Sequence, residues 1–424
     1  MKYISEFIVT LSTVIGMLIY LIFSLLGIEH TEDNPSPYFA AIIVAVNLYT
    51  IGWILIKEAS FGLRVNRYLP LYFVVPALVL FIYFIELVFN PSVARSAQVR
   101  GLLFQWGAQC VAPFYVALYC YRHNRFDMLT KNMEIIMLLG SVSLILNIPQ
   151  IILTGRVLLG GGGGHLEISY SAAFFICVLL TYLYCGLENC RYKIFTKKFF
   201  RIVEIVLIPM LVLVVLISGG RGGTLLMLVG TTVCSFIFAR KHAKKYFFLG
   251  VAVVIVGAVV FSSSAGGLTR AVNVGMERSF NYINGGDIDT DVGHRDWIYE
   301  IAQSLIVDSP IIGYGLFGGY AKMYKQIGGY SHNIFYDVLI HGGIIYLIFF
   351  IAYLVRTFRS AYRLIIYDRS RALLLSYGMY ISVMLMFSGT YFTKPQLWFF
   401  VTFSLLSQGG SILLIRKNIA RYEK

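Results

Sequence analysis

The stretch Ser331-His-Asn-Ile-Phe-Tyr-Asp-Val-Leu-Ile-His-Gly-Gly-Ile-Ile-Tyr346 leaves a polar segment and enters an apolar one. From Ile334 to Leu354 apolar residues dominate, a run long enough to cross about 30 Å of hydrocarbon as a helix. Outward from this stretch the same pattern repeats along the chain. Twelve spans are predicted, at 7–27, 39–56, 70–90, 102–121, 133–153, 167–187, 202–218, 224–239, 246–264, 333–354, 372–391 and 396–415. Composition agrees, since 58% of the 424 residues are hydrophobic and 13% charged, against about 25% charged in soluble domains. The expected fold is an all-α polytopic membrane protein, with residues 1–424 as one transmembrane domain.

The connecting segments orient these spans. Of 35 Lys and Arg, 25 fall in the segments that alternate to one side with the N-terminus and 10 in those on the other. The basic side is cytoplasmic, so both termini are expected there. A net charge of +14 would suit nucleic acid, but the charge is spread over short loops rather than gathered on one face. No nucleic-acid partner is therefore expected. Phe7 to Leu26 is too long for a signal-peptide core and lacks a small-residue cleavage site, so it reads as a retained anchor. The segment 264–331 is a long polar loop on the external side. Within it, Trp297 to Val307 has the apolar spacing of a helix. The six cysteines form no Cys-x-x-Cys pair and read as small packing residues. Gly160 to Gly164 has no following Lys-Ser or Lys-Thr, so it reads as a linker rather than a phosphate loop.

Polar residues gather at the external mouth of the spans. Arg221 stands in Ser218-Gly-Gly-Arg-Gly-Gly223, between two apolar runs. Its glycines bare backbone amides that suit an anion; the competing reading is a tight turn with a snorkelling Arg. Arg295, in Gly293-His-Arg-Asp-Trp297, carries the planar fork that grips phosphate, or pairs with Asp296. Arg270 and Arg278 are weaker candidates of the same kind. His332, between Ser331 and Asn333, can accept a proton at neutral pH. Asn333 can orient it or a sugar hydroxyl; the competing reading makes Ser331 or Asn333 a helix cap. Tyr330 and Asp337 complete the candidate substrate-binding set. Asp337, if buried, needs a partner, and a basic loop residue is expected. His341 is expected to pack or hydrogen-bond between helices, and Gly342 and Gly343 to admit a neighbouring helix. Asp287, Asp289 and Asp291 read as a solvated run, and no metal site or cofactor is expected.

These residues resemble the O-antigen polymerase and O-antigen ligase superfamily of bacterial envelope assembly. The family's motif is His, then Asn, Ser or Gln, nine residues, Gly, two residues, then Gly, Thr or Tyr. Here it reads His332-Asn333, Ile334 to Gly342, Gly343, Ile344-Ile345, Tyr346. Arg221 and Arg295 match the family's two arginines in position, and Gly313-Tyr-Gly315 is similar too. The resemblance implies a metal-independent membrane glycosyltransferase using undecaprenyl-pyrophosphate-linked oligosaccharides at the periplasmic face of the inner membrane. It implies His332 as general base, Arg221 and Arg295 on the pyrophosphate, and membrane lipid around the polyprenyl tail. A chain-length regulator and a flippase of the same pathway are the expected protein partners. The segment Phe387 to Trp398 looks like the final loop of many polymerases, so a polymerase of O-antigen or of a capsular or surface polysaccharide is favoured. A ligase that passes finished glycan to lipid A-core is the alternative. A transporter or flippase is third, because it would carry mid-span charges and internal pseudo-symmetry.

Overall fold

The computed structural model describes residues 2–26, 28, 37–60, 69–146, 148, 164–185, 190–238 and 295–407. The predicted span at 246–264, the start of the long loop with Arg270 and Arg278, and the end of the last span lie outside them. Among the described residues every regular element is helical, and eight helices are long and apolar enough to cross a membrane.

The first predicted span is two helices, α1 (Lys2–Leu11) and α2 (Ile15–Leu26). Between them Ser12 and Thr13 turn their hydroxyls onto the carbonyls of Val9 and Thr10, each at 2.8 Å, competing with the helical ladder. Then come α3 (Pro37–Ser60), opened by a proline, and α4 (Leu69–Phe89). A single turn, α5 (Pro91–Ala94), leads to α6 (Ala97–Arg122), capped by Ser96 on the Val99 amide. The next helix, α7 (Phe126–Leu146), starts seven residues before the predicted 133. Its early polar residues are satisfied inside the protein. Asn132 accepts from Tyr192 at 2.9 Å, and Glu134 and Glu204 both take Arg191.

Helix α8 (Gly164–Cys185) is the core, and 83% of its apolar window is buried. It packs against α7, α9 (Lys198–Ser218), α10 (Arg221–Phe238) and a later span. Lateral α4 is the opposite case, with Phe73, Leu78, Phe81 and Phe84 all exposed, as hydrocarbon contact requires. The chain resumes with α11 (Arg295–Asp308), where the periodicity predicts a helix, and α12 (Leu316–Ile327). The long α13 (Ile334–Tyr367) then packs against α11, α12 and α14 (Leu373–Phe387). That α14 is the later span touching α8. A 3-10 turn at Tyr391–Thr393 precedes α15 (Pro395–Ser407).

The segments assigned to one side meet at one end. Glu58 is held by Arg122, His123 (2.8 Å) and Tyr72 (2.9 Å), and Arg125 by Glu6 (2.7 Å). Arg371 reaches Asn124 at 3.2 Å. Buried carboxylates are paired at this end, as their desolvation demands. Of the segments assigned to the other side, α5, α12 and the turn at Tyr391–Thr393 pack together among the described residues, and there the candidate site lies.

Candidate active site

Helix α13 is broken inside its apolar run. Gly343 has φ 61° and ψ −162°, outside helical space. The break strips two helical bonds, Ile344 N to Ile340 O and Ile345 N to His341 O. Residues 310–315 replace both. Ile344 N donates to Pro310 O (2.9 Å) and Ile345 N to Ile311 O (3.4 Å), while Tyr314 N donates to Ile340 O and Gly315 N to His341 O, each at 2.9 Å. Unpaired backbone at such depth costs several kcal/mol per group, so this repair is what permits the break. It also explains two glycines. A Cβ on Gly343 would enter the backbone of Ile311, and one on Gly313 (φ 60°) would sit 2.6 Å from Gly342 N. Gly343 of the motif and Gly313 of Gly-Tyr-Gly are two halves of one interlock. The neighbour that the glycines admit is thus a loop, where the sequence predicts a helix.

Elements around the interlock hold it in place. Ala302 and Leu305 of α11, Met323 of α12 and Ile340 of α13 form a buried apolar cluster. Glu86, buried near the end of α4, accepts from Phe317 N at 3.0 Å and so caps α12. Gly315 is needed there too, since a Cβ would stand 2.8 Å from Glu86 Oε1. Gly319 lets α12 close over His341.

His332 sits at the mouth of α13 with φ 56°, a left-handed conformation that histidine adopts more readily than most residues. Its ring lies 4.5 Å from that of Tyr330. Asn333 caps the helix, its Oδ1 accepting from Phe335 N at 2.9 Å, as the cap reading expects. Asp337 is buried one turn in. Its partner is Ser331, where a basic residue was expected: the Ser331 hydroxyl donates at 2.7 Å and the Ser331 amide at 3.2 Å. Thr390 also flanks this carboxylate.

His341 does bond between elements, its Nδ1 lying 2.8 Å from the Tyr391 hydroxyl. The Tyr391 phenol, neutral at neutral pH, meets the imidazole as a hydroxyl. Phe392 stacks on Trp106 at 5.7 Å, and Trp398 Nε1 donates to Phe392 O at 2.9 Å. The final loop is thereby pinned beneath the motif. Glu86 and Tyr391 escaped the sequence reading. The one signal for Glu86 is a carboxylate near the end of an otherwise uncharged span; Tyr391 lay inside a loop singled out only for its resemblance.

Arg221 opens α10, separated by Gly220 alone from the left-handed Gly219 that closes α9. Helix α8 abuts this turn. Ser169 Oγ donates to Gly220 O at 3.2 Å, and a Cβ on Gly222 or Gly223 would strike Tyr170 or Ser169. The glycines flanking Arg221 are thus demanded by packing, and they hold the arginine where two spans turn. Arg295 is the first residue of α11. The structure brings Tyr330, His332, Asn333 and Asp337 into one cluster and places Arg221 on a separate turn.

Helices long and apolar enough to cross a membrane, with a polar cluster at the mouth of one of them, define a polytopic membrane protein. Residues 205–351, from within α9 through the break in α13, match the family model described as O-Antigen ligase. This match supports a likeness of residues 205–351 to the O-antigen polymerase and ligase superfamily. No curated protein and no solved structure matches it.

Proposed function

We propose that this protein is a polymerase. It joins undecaprenyl-pyrophosphate-linked oligosaccharide repeat units of an O-antigen, or of a capsular or surface polysaccharide, on the periplasmic side of a bacterial inner membrane. The observation that carries the reading is the presentation of His332 at the mouth of a broken span, within the matched domain. His332 takes the proton from a sugar hydroxyl of one lipid-linked chain. That oxygen bonds to the anomeric carbon of the other, and the bond from this carbon to the pyrophosphate oxygen breaks. The electron pair leaves with the lipid pyrophosphate. Arg221 and Arg295 hold that group and stabilise its growing charge. Arg270 and Arg278, outside the described residues, supply further positive charge for the same group, and Tyr330 and Asn333 meet the sugars. No nucleotide is needed, because the donor carries its own leaving group.

We favour polymerase over ligase because Phe387 to Trp398 resembles the final loop of many polymerases; that loop is bonded to the motif helix through Tyr391. The ligase reading draws support from the description of the matching family. The surface glycan of a deletion strain separates them. A core bearing one repeat unit marks a polymerase, and a bare core with polymer stranded on undecaprenyl pyrophosphate marks a ligase. Surface glycan of normal length would overturn both.

A further inference from the structure

A left-handed non-glycine residue persists only where its surroundings over-determine it. At His332 both flanking residues are tied down. On one side, Asp337 Oδ1 accepts from the amide and the hydroxyl of Ser331 (3.2 and 2.7 Å). On the other, Asn333 is fixed by its bond from Phe335 N (2.9 Å). Ser331 Oγ also lies 2.8 Å from Asn333 O and 3.3 Å from Asn333 N, which closes the turn across the histidine. Rotating His332 out of φ 56° would break one of these ties. Asp337 is 2% exposed, so its carboxylate faces Ser331 rather than the site mouth.

We propose that Asp337 is a positioning residue, whose carboxylate oxygen holds Ser331 and so sets the direction of the His332 ring, without touching the glycan. This rests on the reading of His332 as general base. The task needs an acceptor oxygen at one point and no negative charge. Asparagine can supply that oxygen; leucine, of similar shape, cannot.

The test uses the full chain, purified with a lipid-linked oligosaccharide as donor and acceptor. Turnover, KM and the thermal midpoint are measured for Asp337→Leu, Asp337→Asn, Ser331→Ala and His332→Ala. Misplacing a catalytic group through its supporting residues costs about 10–100-fold. We expect Asp337→Leu to lose kcat on that scale with KM unchanged, and Asp337→Asn to recover most of it. Ser331→Ala should fall between them, since the amide tie survives. A raised KM with normal kcat would make Asp337 a substrate contact and overturn the proposal. So would an Asn variant as impaired as the Leu variant, because charge would then be the requirement. Should Asp337→Leu fail to fold, the Asn and Ser331→Ala variants decide on the same criteria. His332→Ala keeps the two readings apart. Full turnover in that variant removes the general base itself, whereas an inactive His332→Ala beside a normal Asp337→Leu removes only the positioning role.

Discussion

At the residue scale the strongest claim concerns His332. If it is the base, His332→Ala should lower transfer by about 10²–10⁴-fold while binding of the lipid-linked donor persists. A residue that merely starts a helix would instead cost about 1 kcal/mol or less in stability and leave turnover intact. Both quantities come from one preparation, so wild-type turnover in a folded variant sinks the assignment. The arginines make a second claim. Arg221→Lys and Arg295→Lys keep charge but lose the planar fork, and glycan should fall strongly at unchanged protein level. Normal glycan in both variants would leave them as anchors. The residues of the motif were legible because their chemistry is unusual against an apolar background. Asp337 was legible as a buried carboxylate, but its partner was not: a serine six residues away becomes a donor only once His332 bends the chain left-handed.

At the element scale the spans were readable from apolar length, and their irregularities were not. Hydropathy cannot see that Ser12 and Thr13 divide the first span, since hydroxyl bonds to the backbone carry no hydrophobic signature. It began α7 late because Asp127, Lys131 and Asn132 look like loop residues until their partners are known. Nor does it reveal that Gly343 breaks α13, because the repairing loop lies about thirty residues earlier. The break yields a sharp expectation. Gly343→Ala adds a Cβ where φ is 61° and where Ile311 backbone already stands. It should cost well over the ~1–2 kcal/mol of left-handed strain alone, read as a lowered thermal midpoint in detergent. Gly16→Ala, in open space within α2, should be neutral or stabilise by up to about 1 kcal/mol. Equal midpoints for the two variants would mean the interlock is absent in solution.

At the scale of the whole molecule, charge separates the two ends. Ion pairs bind the segments around Glu58, Arg125, Arg191 and Arg371 at one, and the motif, α12 and the final loop gather at the other. A reporter fused near Gly285 should be active only when exported, and cytoplasmic activity there would invert the orientation that the mechanism needs. The repaired break in α13 links these scales through isotope exchange. Two amides within a membrane span, Ile344 and Ile345, are shielded by carbonyls of Pro310 and Ile311, which belong to a segment outside the span. Their deuterium uptake therefore runs at the rate at which that segment lifts away. They should exchange faster than span amides bonded within their own helix, and slow together when a glycan chain weighs the segment down, which gives a spectroscopic clock for substrate arrival written into the membrane helix itself.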